Sequence, residues 1–147
     1  QFQVDQIETT LQKGLAMTPI GYSWGIVAQS QDAEVNYTHP IVVLISDQCY
    51  SGGDMFPSLL QANKRAVLFG SNTAGAGGSV GSFGPLSYSG GTMSMTQTIW
   101  KRQPTGTVIE NVGAKPDLPY DITQDDVAGG YKAFRKAYTD ALLKLIQ

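Results

Sequence analysis

Two short apolar runs, Ile41-Val-Val-Leu-Ile45 and Ala66-Val-Leu-Phe69, constrain the fold more than any other feature. A continuous β-branched run of this length suits a strand covered on both faces. Between them, Met55 to Ala62 carries Met55, Phe56, Leu59 and Leu60 at a spacing that predicts a helix with those residues facing inward. Pro57 is tolerated near a first turn but not in a mature helix, so the helix is expected to begin near Gly53. Strand, helix and strand within about thirty residues make a βαβ unit, which should be parallel and right-handed.

The remaining pattern fits the same class. Val4, Ile7, Leu11 and Leu15 predict an amphipathic helix over 3–16 that ends near Gly14, and residues 18–40 read as irregular. A Gly-rich loop (Thr73 to Gly84) precedes a strand from Thr92 to Trp100. A turn at Pro104-Thr-Gly106 leads to Val108-Ile-Glu110, after which Pro116 and Pro119 break the chain. Tyr131, Phe134, Tyr138, Ala141, Leu142 and Leu145 mark a C-terminal amphipathic helix. Residues 1–147 are therefore expected to form a single α/β domain: an N-terminal helix and irregular segment (1–37), a core (38–120) and a C-terminal helix (121–147).

Composition narrows the function. A chain of 147 residues that is 41% hydrophobic can bury a core, and ten basic against twelve acidic side chains leave no electrostatic footprint for nucleic acid or anionic lipid. One Cys and one His exclude an intrachain disulfide framework and a zinc site built from nitrogen and sulfur ligands alone. The run Ile41–Ile45 falls far short of the roughly 20 residues that span a bilayer. No metal or cofactor is expected. Position 1 is Gln, so the chain is expected to be a processed or truncated piece.

The most informative chemistry is Ser51-Gly52-Gly53-Asp54, between a buried strand and a helix start. Reactive groups gather at the carboxyl ends of strands in open α/β sheets. A serine there faces unpaired N–H groups and the positive end of the helix dipole. Those groups can stabilise an oxyanion, with the Gly52 N–H as the natural donor. Ser-x-x-Asp before an apolar run also resembles a capping box, and because helix caps far outnumber nucleophiles, spacing alone favours Ser51 as a cap.

Gly70 to Gly78 suggests nucleotide binding at first, but it lacks the lysine of a phosphate-binding loop, and Gly81, Gly84, Pro85, Gly90 and Gly91 cannot sustain the helix that a dinucleotide loop needs. It reads as a turning loop near the sheet edge that could cradle a peptide backbone. Glu110, beside Gly113 and Pro116, reads in isolation as a solvated carboxylate. His39 is the sole histidine, yet Pro40 to Ile45 extends roughly 20 Å and separates it from Ser51, far beyond the roughly 3 Å a general base requires. Cys49 adjoins Ser51 and reads as a small packing residue.

Taken in order, these runs resemble the C-terminal-processing (tail-specific) and tricorn-like serine peptidases. The runs are Pro40–Ile45, Ser51-Gly-Gly-Asp54, Ala66–Gly70, Thr73-Ala-Gly-Ala-Gly77 and Ile109-Glu110-x-x-Gly113-x-x-Pro116-Asp117. The Thr73–Gly78 and Ile109–Asn111 runs have near counterparts in a chlamydial member. The resemblance covers about residues 38–120 and implies a ClpP/crotonase-like ββα-type core with a mixed sheet and flanking helices. It also implies that Ser51 is the nucleophile, Gly52 an oxyanion donor, and Thr73, Gly75, Ala76 and Gly77 a substrate loop. Many members use a Ser/Lys dyad, but Ala76 occupies the lysine position, and Lys64 and Arg65 lie at the wrong end of the helix to replace it. The tricorn-like branch uses Ser, His and an acid, which falls on Glu110, with its histidine in an upstream segment.

The resemblance therefore implies an endopeptidase acting on peptides or proteins. Residues 1–147 alone would be inactive and would need the upstream part of the same polypeptide. A homodimer and export to the periplasm or medium follow from the same resemblance. A non-catalytic ligand- or peptide-binding module on the same fold is the alternative.

Overall fold

The computed structural model describes residues 2–19, 37–102 and 105–146, divided between two units, Gln1–Tyr37 and Thr38–Gln147. The first holds α1 (Phe2–Gln12), which stops just before Gly14, where a φ of 63° suits a residue without Cβ. Most of the segment expected to be irregular, and Pro104 of the expected turn, lie outside the described residues. The rest of that turn is present, with the Gly106 N–H donating to the Arg102 carbonyl at 2.7 Å.

In the second unit, the two apolar runs become β1 (Val42–Ile45) and β2 (Val67–Gly70), joined by α2 (Gly52–Ala62). They pair in parallel from Val42 opposite Val67 to Ile45 opposite Gly70, as a βαβ unit requires. Next come an antiparallel ribbon of β3 (Gly78–Phe83) and β4 (Met93–Ile99), then a short hairpin of β5 (Lys101–Arg102) and β6 (Thr107–Val108). The strand β7 (Leu118–Pro119) pairs in parallel with β2, giving the order β1-β2-β7. The chain closes with α3 (Gln124–Ala128) and α4 (Lys132–Lys144). Helices with parallel and antiparallel sheets make this an α/β fold, as expected.

Leu68, at the centre of the sheet, is fully buried and clusters with Ile45, Ala114 and Val43. On the opposite face of β2, Phe69 stacks on Tyr120 at 5.4 Å between centroids and meets Phe134 and Tyr138 of α4. The C-terminal helix is thus held by the aromatic positions its periodicity marked.

Four local expectations are corrected. Among the described residues β1 is not covered on both faces: it lies at the edge of the sheet, and Leu44 stays 45% exposed. Phe56 and Leu59 do not face inward, being 56% and 55% exposed, whereas Asp54, Pro57 and Ser58 are buried. The buried stripe of α2 is displaced because Asp54 finds its hydrogen-bond partners inside the fold. The Gly-rich loop ends at Gly77, since β3 starts at Gly78. Pro119 does not break the chain but ends β7, at the sheet edge where a missing N–H costs no ladder bond.

Candidate active site

Ser51 sits at the N-cap of α2, beyond the carboxyl end of β1. Its φ of 56° and ψ of −113° place a non-glycine residue in a sparsely populated region. It is exposed, and its side chain makes no capping bond. The capping-box reading of Ser51–Asp54 is therefore corrected: the hydroxyl leaves the helix amides alone, and Asp54 turns inward. Gly52, the first residue of α2, has an N–H that the helix itself cannot satisfy. Among the described residues nothing lies within 4 Å of where its Cβ would stand.

Glu110 lies in the turn after β6, half-buried. Its Oε2 is buried without a hydrogen-bond partner among the described residues, close to the backbone of Gly78 at the start of β3. A carboxylate oxygen withdrawn from water without a donor is costly, so Glu110 is not the solvated side chain its isolated sequence context suggests.

The segment Thr73–Gly77 runs between the Ser51 turn and the Glu110 turn. The Ala74 N–H donates to the Cys49 carbonyl at 2.9 Å, and the Ser51 N–H donates to the Ala76 carbonyl at 3.1 Å. On the other side, the Asn111 N–H donates to the Gly75 carbonyl at 2.6 Å and the Thr73 N–H to the Ala114 carbonyl at 3.1 Å. Thr73, Gly75 and Gly77 are buried, and a Cβ on Gly77 would strike Ile109. Ala76 is exposed, with both backbone groups bonded within the fold.

The other titratable residues fall where strand direction puts them. The guanidinium of Arg65 donates to the His39 carbonyl at 3.1 Å, at the amino end of β1 and away from Ser51. Lys64, next in the chain to Arg65, shares that end. Cys49 is half-buried, its N–H bonded to the Ser46 carbonyl at 3.0 Å. Among the described residues no group of three or more His, Cys, Asp or Glu is placed to hold a metal, and no helix is long and apolar enough to cross a membrane.

Asp54 is the site residue that sequence reasoning missed. Its carboxylate accepts from the Thr73 hydroxyl and from the N–H groups of Gly75 and Ala76. One signal was available: Asp54, Pro57 and Ser58 repeat at i, i+3 and i+4 down an otherwise apolar helix, a small and polar stripe.

Comparison with known proteins follows this geometry. The sequence model of peptidase family S41 matches residues 5–120. A Chlamydia trachomatis protein is 38% identical over 113 residues, covering 76% of this chain and 18% of the relative. The solved structure of mature CPAF matches with a TM-score of 0.81 at 32% identity, over 97% of this chain and 27% of that one. Mature CPAF complexed with lactacystin matches with a TM-score of 0.80 at 32% identity, over 97% and 28%. This chain thus spans less than a third of the length of the relatives it matches.

Proposed function

Because this chain belongs to peptidase family S41, we propose that it is the nucleophile-bearing part of a serine endopeptidase. Ser51 Oγ attacks the scissile carbonyl and gives its proton to a histidine, which passes it to the leaving amine. The Gly52 N–H stabilises the oxyanion at the positive end of α2. Glu110 accepts the other ring N–H of that histidine and stabilises the imidazolium. The histidine comes from an upstream segment of the polypeptide, since His39 lies at the opposite end of β1 from Ser51. The buried, unpartnered Oε2 of Glu110 supports its part in this reading.

One observation carries the proposal: an exposed serine held at φ 56° and ψ −113° on a helix N-terminus, with its hydroxyl withheld from capping. Strain of this kind costs on the order of 1–3 kcal/mol and persists where the surroundings enforce it. A fluorophosphonate probe should label Ser51 in the full-length protein, and Ser51→Ala should abolish both labelling and peptide cleavage. A Ser51→Ala protein that still cleaves peptides at the normal rate would overturn the reading. Residues 1–147 alone should show no turnover, and turnover by them would contradict a remote base.

A second reading, a ligand- or peptide-binding module, draws on Ala76 standing where the dyad lysine would be. It predicts tight binding of an apolar ligand by the full-length protein without fluorophosphonate labelling.

A further inference from the structure

The proposed chemistry makes no use of the most deeply buried ionisable side chain in the second unit. Asp54 has no exposed surface, although it follows Ser51 by a single helical turn. A buried carboxylate is tolerated when its lone pairs are met. Here Oδ1 accepts from Thr73 Oγ1 at 2.5 Å and from the Gly75 N–H at 2.8 Å, and Oδ2 accepts from the Ala76 N–H at 2.9 Å. All three donors belong to the segment between the two candidate catalytic turns.

Two closed rings share this carboxylate. In the first, Ala76 gives its N–H to Asp54 and receives the Ser51 N–H on its carbonyl, and the peptide chain from 51 to 54 completes the loop. Relaxing Ser51 from its strained backbone would break one of those bonds or pull Ala76 off the carboxylate. In the second, the Thr73 hydroxyl donates to Asp54 and accepts the Ala114 N–H at 2.7 Å, while the Gly75 carbonyl takes the N–H of Asn111, the residue after Glu110. A hydroxyl can donate and accept at once, which makes Thr73 the relay between the helix and the Glu110 segment.

We infer that Asp54 is a positioning residue that holds the Ser51 turn and the Glu110 turn in register, acting through Thr73 and Ala76 rather than on the substrate. The expected effect on rate rests on the peptidase reading; the effect on geometry does not. The test uses the full-length protein with Asp54→Asn, Thr73→Val and Thr73→Ser. Asparagine keeps the shape but sets an NH2 donor against amide donors, and valine removes the relay while keeping the volume.

Counted per fluorophosphonate-titrated site, Asp54→Asn and Thr73→Val should each lower kcat about 10- to 100-fold with KM within about threefold, as misplacement of reacting groups does. Thr73→Ser should recover most of the rate that Thr73→Val loses. Hydrogen exchange at Ser51 and Ala76 should accelerate at least about tenfold in Asp54→Asn, while the Leu68 amide keeps its protection. Unchanged kcat per titrated site in both disruptive variants overturns the inference, because a residue that only supports folding lowers the number of sites and not the rate of each. If Asp54→Asn does not fold, Thr73→Val decides by the same measure. If the wild-type protein is neither labelled nor active, the peptidase reading has failed, and exchange alone decides. Faster exchange at Ser51 and Ala76 then upholds the positioning role, and unchanged exchange overturns it.

Discussion

The N–H of Ser51 donates to the carbonyl of Ala76 at 3.1 Å. Position 76 thus holds the serine through its backbone carbonyl, and the alanine side chain there supplies no base. The contact survives any side chain at 76, whereas the conformation it enforces at 51 is expensive for every residue except glycine.

Ser51→Gly and Ser51→Ala should therefore differ in stability while sharing the loss of the hydroxyl. Glycine relieves the positive φ and alanine retains the strain, so Ser51→Gly should be the more stable by about 1 kcal/mol in chemical denaturation. Equal midpoints for the two variants would show that φ 56° costs nothing here.

Gly75 has a φ of 76°, and a Cβ placed there would lie 2.8 Å from the Val112 nitrogen and 2.9 Å from that of Gly113. Those neighbours are backbone and cannot swing aside. Gly75→Ala should lower the unfolding free energy by about 2 kcal/mol or more, through overpacking and the disfavoured φ together. A loss within about 0.5 kcal/mol in urea melts would mean that the two turns separate easily.

The sheet centre offers a test independent of any catalytic role. Asp117 Oδ2 accepts the Leu68 N–H at 2.8 Å, and Oδ1 accepts from the Gln61 amide at the same distance. Asp117→Ala leaves a donor on the fully buried Leu68 without its side-chain acceptor, at a cost of about 1–3 kcal/mol. Gln61→Ala, on the α2 side of the same pair, should cost less, and the opposite ranking in thermal melts would be wrong for this arrangement.

Legibility from sequence followed apolar patterning rather than burial, since α1 and β4 could be read although most of their residues are exposed. β1 and β2 could be read from short continuous apolar runs, and α4 from apolar residues that repeat with the helical period. β3 was not, because its glycines and serines lie in an exposed ribbon whose order comes from pairing with β4 rather than from a buried face. β7 was hidden by Pro119, which only its edge position makes acceptable. At the candidate site, Ser51 and Glu110 stood out through motif order, whereas Asp54 passed for the partner of Ser51 in a capping box. Its partners lie 19 to 22 residues away, in a segment whose path periodicity does not describe.

Stability should respond to pH at both extremes through one pair. The Thr123 N–H foremost, and against the opposing pull of burial the hydroxyls of Thr123 and Tyr120, hold the Asp126 carboxyl below its usual range. A folded value below the unfolded one means that this stabilisation is complete above about pH 4 and is lost as pH falls through the folded value. Burial first, then the bond to Asp126 and its negative charge, raise the Tyr120 hydroxyl above its ordinary value. That contribution is complete below about pH 10 and is lost as pH rises through the raised value. Melting temperatures of Asp126→Asn and the wild type should converge on acidification, and Tyr120→Phe should lack the alkaline component. Parallel curves at both ends would contradict the pairing.

The ring stack of Phe69, Tyr120, Phe134 and Tyr138 ties the last helix to the strand that feeds directly into Ser71–Ala76. Cutting the polypeptide after Gly130 would strip Phe134 and Tyr138 from Phe69, leaving only Tyr120 of the stack against it just upstream of that segment. An assay on such a shortened version would then report a slackened brace beneath the serine, and a rate deficit measured on it would say little about the amino acids removed.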